Sequence, residues 1–151
     1  MEKENSAQIP TAHDAVMEPV PQHAGELAES GETYLETILV MKERSDNFIV
    51  RAVDVANELG FSKPSVSRAL SQLKEKGLVK IGTAGSLELT PAGRQKAESI
   101  FKRHQLLTVF LSFTAKVPND VAEKDACRIE HIISDQTMEG IQKYLEENGV
   151  I

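Results

Sequence analysis

The chain lacks tryptophan altogether, and in 151 residues it has a single cysteine and only 5% aromatic side chains. One thiol cannot close an internal disulfide, which excludes a disulfide-stapled secreted domain and fits a reducing compartment. No apolar run approaches the roughly 18 residues of a membrane span. The longest, "LLTVFLSF" at 106–113, contains two hydroxyls and suits a buried helix. The opening "MEKENSAQIP" lacks the apolar core of a signal peptide. The expectation is a cytoplasmic protein with no membrane association. Also missing are an H-E-x-x-H pair, a glycine-rich phosphate cradle, and a nucleophile signature around Cys127. The sequence therefore does not read as an enzyme.

What is present is unevenly distributed. Hydrophobic residues make up 40%, enough for a real core, and net charge is -6. That average conceals an asymmetry. Residues 60–104 carry nine Lys and Arg against three acids, a local +6, while the rest carries eight basic and twenty acidic residues, a local -12. A basic segment beside an acidic body points to a polyanionic partner for the former.

Periodicity divides the chain into three parts. Residues 1–29 are polar, contain Pro10, Pro19 and Pro21, and show no sustained period, so they are expected to be disordered, with His13 and His23 solvated. Order is expected from Ser30, a candidate cap, with Tyr34, Leu35, Ile38, Leu39 and Met41 at helical spacing. "DNFI" at 46–49 should break that helix. A short helix over 50–60 would bury Val53, Ala56 and Leu59 and stop at Gly60. "FSKPSVSRALSQLKEKG" then reads as a second helix with Ser62 as cap, Pro64 in its first turn, and Val66, Leu70 and Leu73 buried. "LVKI" and "LELT", joined by "GTAGS", read as a hairpin. A long helix over 91–113, one beginning at Pro118, and a last one in "SDQTMEGIQKYLEEN" complete the chain. The fold expected is mainly α with a small β wing. It comprises a winged helix-turn-helix over 30–95 and a helical domain over 96–151.

A recognition helix enters the major groove of double-stranded DNA by its N-terminal turns, offering small polar and basic groups. The candidates are Ser62, Lys63, Pro64, Ser65, Ser67 and Arg68, with Lys80 of the wing reaching the flanking backbone. Arg68 can meet a guanine edge bidentately, and Pro64 can press on a thymine methyl. Taken one at a time, Ser62 and Ser65 are equally explained as caps and Arg68 as a solvated face. Capping does not explain the local basic bias.

"DACRIEHIIS" at 125–134 raises a separate question. In a continuous helix, Cys127, Glu130 and His131 would share one face, with Glu123 a turn earlier. Thiolate, carboxylate and imidazole together suit Fe(II), Mn(II), Co(II), Ni(II) or Zn(II). Glu36 and His104 are further candidate ligands. A buried cysteine beside a surface ion pair explains the short motif as well.

The landmarks "SGETYLETIL", "FSKPSVSRALSQLKEKGLV", "LTPAGR", "RHQLL" and "DACRIEHIIS" lie in an order and at spacings that resemble the diphtheria toxin repressor and manganese transport regulator family over about residues 30–148. The resemblance implies a winged-helix domain, a helical dimerisation domain, a metal site between them, and a homodimer gripping a palindromic operator. By position, Glu36, His104, Cys127, Glu130 and His131 fall where the family places metal ligands. Cys127 resembles the iron-responsive branch and Glu36 the manganese-responsive one. Glu123 matches an ancillary histidine of the iron branch. Thr33 stands where the family usually has an Asp or Met ligand, and Thr108 replaces an ancillary Glu. No counterpart of the SH3-like third domain of the iron branch is expected up to residue 151.

The function expected is a metal-dependent transcriptional repressor of metal-homeostasis genes, activated by Fe(II) or Mn(II). Glu130→Ala or His131→Ala is expected to abolish metal-dependent operator binding and to leave the fold intact. The alternatives are a metal-independent winged-helix regulator with Cys127 as a redox sensor, or a metal-binding enzyme or buffer. Leu106, Leu107, Phe110, Leu111 and Phe113 fit either a dimer interface or an intrachain core.

Overall fold

A computed structural model describes residues 31–44 and 49–151. The expected disorder of 1–29, the Ser30 cap and residues 46–48 of the expected break lie outside the described residues. The first helix, α1 (Gly31–Glu43), buries Tyr34, Leu35, Ile38, Leu39 and Met41, the stripe that a 3.6-residue period dictates. Helix α2 (Ala52–Leu59) begins where the Arg51 backbone N–H donates to Asp54 at 2.9 Å and ends at Gly60, whose φ is 69°. Here the expected inward face is corrected. Val55 and Ala56 are buried, whereas Val53 is exposed and Leu59 only partly covered. The face covered by the first core is the one carrying Val55, Ala56 and part of Leu59.

Helix α3 (Lys63–Glu75) buries Val66, Leu70 and Leu73 as its pattern requires. Gly77, at φ 70°, turns the chain into β1 (Val79–Ile81), which pairs antiparallel with β2 (Leu87–Leu89) in the register Val79 to Leu89. A 3₁₀ turn at Thr83–Gly85 forms the wing tip, and Arg51 Nε donates to the Ala84 carbonyl at 3.0 Å. The Leu87 N–H donates to the Val50 carbonyl at 2.7 Å, tying the wing to the approach to α2.

Helix α4 (Pro91–Ala115) is capped by Thr90, whose hydroxyl also donates to the Gly77 carbonyl at 2.6 Å. Gly93 packs so tightly that a Cβ there would lie 1.9 Å from the Leu78 carbonyl oxygen. No side chain fits. At 25 residues α4 is about 37 Å long and runs unbroken through the expected domain boundary at 95/96. Its first turns close one core with α1, α2, α3 and the wing. Its second half closes another with α5 (Asn119–Ile129) and α6 (Asp135–Glu147). Leu107 is buried in that second core, and Leu106, Phe110, Leu111 and Phe113 pack against it while staying partly uncovered.

Candidate functional site

The two cores meet beside α1 and the turn after α5. Glu130 is the C-cap of α5, and His131 lies beyond the helix end. Glu130 keeps αR backbone geometry, and the Ile133 N–H still donates four residues back to the Ile129 carbonyl, so the helical winding carries on past the last residue of α5. The Ile132 and Ile133 N–H groups both donate to the Ile129 carbonyl at 3.0 Å, closing the chain into a turn. That turn aims Glu130 and His131 at α1.

Ligand atoms of Glu36, Glu130 and His131 come within 4.8 Å of one another. His104 joins through Glu130, its Nδ1 lying 2.9 Å from Glu130 Oε2. His131 Nε2 is 3.2 Å from Glu130 Oε1, although that oxygen has no hydrogen-bond partner among the described residues. The Glu130 side chain is 0% exposed. Cys127 and Glu123 line, with Glu36, His104 and Thr33, a cavity of about 400 Å³ opening beside this cluster. Cys127 is an exposed residue and Glu130 the buried one, so the account of a buried cysteine beside a surface ion pair is reversed. Thr108, in place of an ancillary ligand, donates to the His104 carbonyl at 2.9 Å.

The electrostatics follow from two carboxylates converging away from water. Burial, then the neighbouring Glu130 carboxylate, pushes Glu36 up to about 7. Burial alone would raise Glu130 too, but contacts with His104 and His131 outweigh it and hold its carboxyl below the usual range. The Glu130 contact raises His104 against the cost of burial. For His131, burial pulls downward, and contacts with Glu130 and Glu32 overcome it. Burial raises the Cys127 thiol, helped by the charges of Glu130 and Glu36.

A buried carboxylate oxygen without a donor, a second carboxyl pushed up to about 7 by burial and by its neighbour, and imidazole nitrogens alongside form a donor set that fits a divalent cation of the Mn(II)–Fe(II) kind. Sequence reasoning missed two residues here. Glu32 Oε2 lies 3.0 Å from His131 Nδ1. Arg103, one residue before His104, donates to the carbonyls of Glu130 (3.0 Å) and Ile133 and to Asp135, clamping the ligand-bearing turn. Only the spacing of Glu32 and Glu36 by one helical turn hinted at the first; nothing in the sequence signals the second.

Around the start of α3, Ser62, Lys63, Pro64, Ser67 and Arg68 are exposed and Ser65 partly so. Ser62 Oγ accepts from the Ser65 N–H at 3.3 Å and donates to Ser65 Oγ at 2.8 Å, so both serines serve the cap. Among the described residues Lys63 and Arg68 make no ion pair. Arg94, by contrast, is engaged by Glu98 and Glu43, and Arg103 by Asp135. The basic bias available to a partner therefore concentrates on α3 and the wing, where Lys80 faces Glu88 across the strands.

Two family models match the chain, one described as iron dependent repressor, N-terminal DNA binding domain (residues 26–85), the other as iron dependent repressor, metal binding and dimerisation domain (residues 90–149). The chain belongs to the iron-dependent repressor family. Among curated family members it is 29% identical to the diphtheria toxin repressor of Corynebacterium diphtheriae over 122 residues, 81% of this chain and 53% of that protein. It is 30% identical to the iron-dependent repressor IdeR of Mycobacterium tuberculosis, covering 80% of this chain and 51% of that one. The transcriptional regulator MntR of Salmonella typhimurium is 31% identical over 66% of this chain and 62% of its own length. The chain thus spans about half the length of the first two relatives. Among solved structures, a manganese-dependent transcriptional repressor in complex with manganese superposes with a TM-score of 0.72 at 30% identity, covering 80% of this chain and 53% of that one. The manganese regulator SloR gives 0.70 at 29%, covering 78% and 54%. No described helix is long and apolar enough to cross a membrane.

Proposed function

We propose that this family member is a cytoplasmic, homodimeric repressor whose grip on a palindromic operator is gated by Fe(II) or Mn(II). One observation carries the reading: Glu36, on a helix of the first core, and Glu130 and His131, on a turn of the second, bring ligand atoms within 4.8 Å. Glu36, Glu130 and His131 hold the cation, His104 braces Glu130, and Cys127 and Glu123 stand at the cavity that flanks them. A bound divalent cation would supply the positive charge that the buried Glu130 and the half-buried Glu36 need. Glu36 then stays ionised against Glu130, which restricts the orientation of α1 and of the α2–α3 unit packed on it. Reciprocal strengthening of metal and DNA binding follows, because both favour the same arrangement.

Arg68 and Lys63 on α3 contact base edge and phosphate, Pro64 and Ser67 lie alongside, and Lys80 reaches the flanking backbone, with the Ser62–Ser65 cap presenting the helix N-terminus. The domains divide at 30–95 and 96–151, with α4 as the shared strut. Partly buried Phe110 and Phe113 and exposed Ile132 and Tyr144 supply apolar surface for a second copy. A role in regulation rather than catalysis follows from the exposed basic α3. A redox switch at Cys127 is disfavoured, because a thiol held above its usual pKa carries little of the reactive thiolate.

The test is anaerobic fluorescence anisotropy on palindromic promoter fragments, with chelator and then with each of Fe(II), Mn(II), Co(II), Ni(II) and Zn(II). Tightening by one or two of these metals is expected. Equal affinity with and without metal would overturn the gating.

A further inference from the structure

We infer that Glu32 is a positioning residue for the metal centre, locking the His131 ring so that Nε2 is the nitrogen presented to Glu36 and Glu130. The inference rests on the metal-gated reading above. His131 has one nitrogen on each side of a decision. Nδ1 lies 3.0 Å from Glu32 Oε2, while Nε2 lies 3.2 Å from both Thr33 Oγ1 and Glu130 Oε1. An ionised carboxylate can only accept, so the nitrogen facing Glu32 carries the proton. Nε2 faces the Thr33 hydroxyl and the Glu130 carboxylate, and a cation bound beside Glu36 and Glu130 would take the lone pair of that nitrogen in place of a proton shared with Glu130. With the side chain 2% exposed, the ring has no water to turn towards.

Glu32 and Glu36 are one turn apart on α1, so a single turn of helix provides both a ligand and the carboxylate that orients another ligand. An imidazole whose distal N–H is held by a carboxylate is a better and better-aimed ligand, and loss of such a partner typically costs 10- to 100-fold in metal affinity. The contact also joins α1 to the turn after α5 without any cation, so the site is part-assembled in advance. Replacing Glu32 should therefore weaken metal binding without touching a ligand.

The experiment uses the full chain, with Glu32→Ala and Glu32→Gln beside the wild type. Mn(II) affinity is measured by chelator competition, and the Zn(II)-loaded proteins are examined by ¹⁵N NMR of the histidine rings. Glu32→Ala is expected to lose about 10- to 100-fold in Mn(II) affinity. Glu32→Gln, which keeps an acceptor oxygen, should lose less. In the Zn(II)-loaded wild type, His131 should show a protonated, exchange-protected Nδ1 and a metal-bound Nε2, with that protection lost in Glu32→Ala. Wild-type affinity in both variants, or zinc on Nδ1 of His131, would overturn the inference while leaving the metal centre standing. A wild type that binds neither Mn(II) nor Zn(II) would overturn the metal-gated reading and this inference with it.

Discussion

Replacing Glu130 with glutamine keeps the side chain's shape and removes its charge at the point where four residues meet. The carboxylate lies 2.9 Å from His104 Nδ1 and 3.2 Å from His131 Nε2, with 0% of the side chain exposed. Hydrogen bonds to a charged group contribute about 1.5–3 kcal/mol, against about 0.5–1.5 kcal/mol for neutral pairs. Two such contacts therefore put the gross loss at roughly 2–3 kcal/mol. Relief of burying a charge beside Glu36 offsets part of it, leaving a net destabilisation of about 1–2 kcal/mol. For a chain of this size that lowers Tm by roughly 2–8 °C without metal. With Mn(II) at 100 times its Kd, the wild type gains about 2.7 kcal/mol. Glu130→Gln should gain almost nothing, because a neutral amide cannot replace the charge. Scanning calorimetry in chelator and across a Mn(II) titration reads both effects. Unchanged metal-free Tm together with a full Mn(II) shift would refute Glu130 as the hub. The burial also revises the sequence expectation for Glu130→Ala. Truncation strands two buried imidazoles, so the fold should weaken along with the metal response.

Arg68→Ala should lower specific operator affinity by about 1–3 kcal/mol, the worth of a good base contact. Anisotropy on operator and random DNA checks this, and equal losses on both would make Arg68 a phosphate contact. Gly93→Ala should destabilise by roughly 3 kcal/mol, since its Cβ would fall 1.9 Å from a backbone oxygen and α4 must move off the wing. A wild-type denaturation midpoint would refute that close approach. Mn(II) affinity should rise from about pH 6 to about pH 8, because Glu36 is pushed up to about 7 and must shed its proton to serve as a ligand. The same raised pKa stabilises the metal-free fold at low pH and loses that contribution as pH rises through about 7. His104 and His131, also raised, act in the same direction. Isothermal titrations at several pH values decide it, and a flat profile would contradict the Glu36–Glu130 coupling.

The sequence by itself determined the elements and the exposed basic start of the second helix of the helix-turn-helix. Periodic apolar residues, the Ser62 and Thr90 caps, and glycines at 60 and 77 act within a few residues of themselves, so local rules suffice for α1, α3, the wing and α4. It also supplied every member of the tight cluster as a candidate, because chemical type and family resemblance need no coordinates. Tertiary structure decided the geometry. Helical spacing grouped Cys127, Glu130 and His131, but the burial of Glu130 and the exposure of Cys127 at the cavity rim depend on how α5 lands on the first core. The inward edge of α2 moved from Val53 to Val55, since which side of a short helix is covered depends on how it lands on its neighbours. Arg103 counted towards a basic surface until its guanidinium met two carbonyls and Asp135 from a segment about thirty residues away. Contacts across 98 and 99 residues, such as those of His131 with Thr33 and Glu32, depend on where two cores come to rest against each other. No local pattern encodes that distance; packing does.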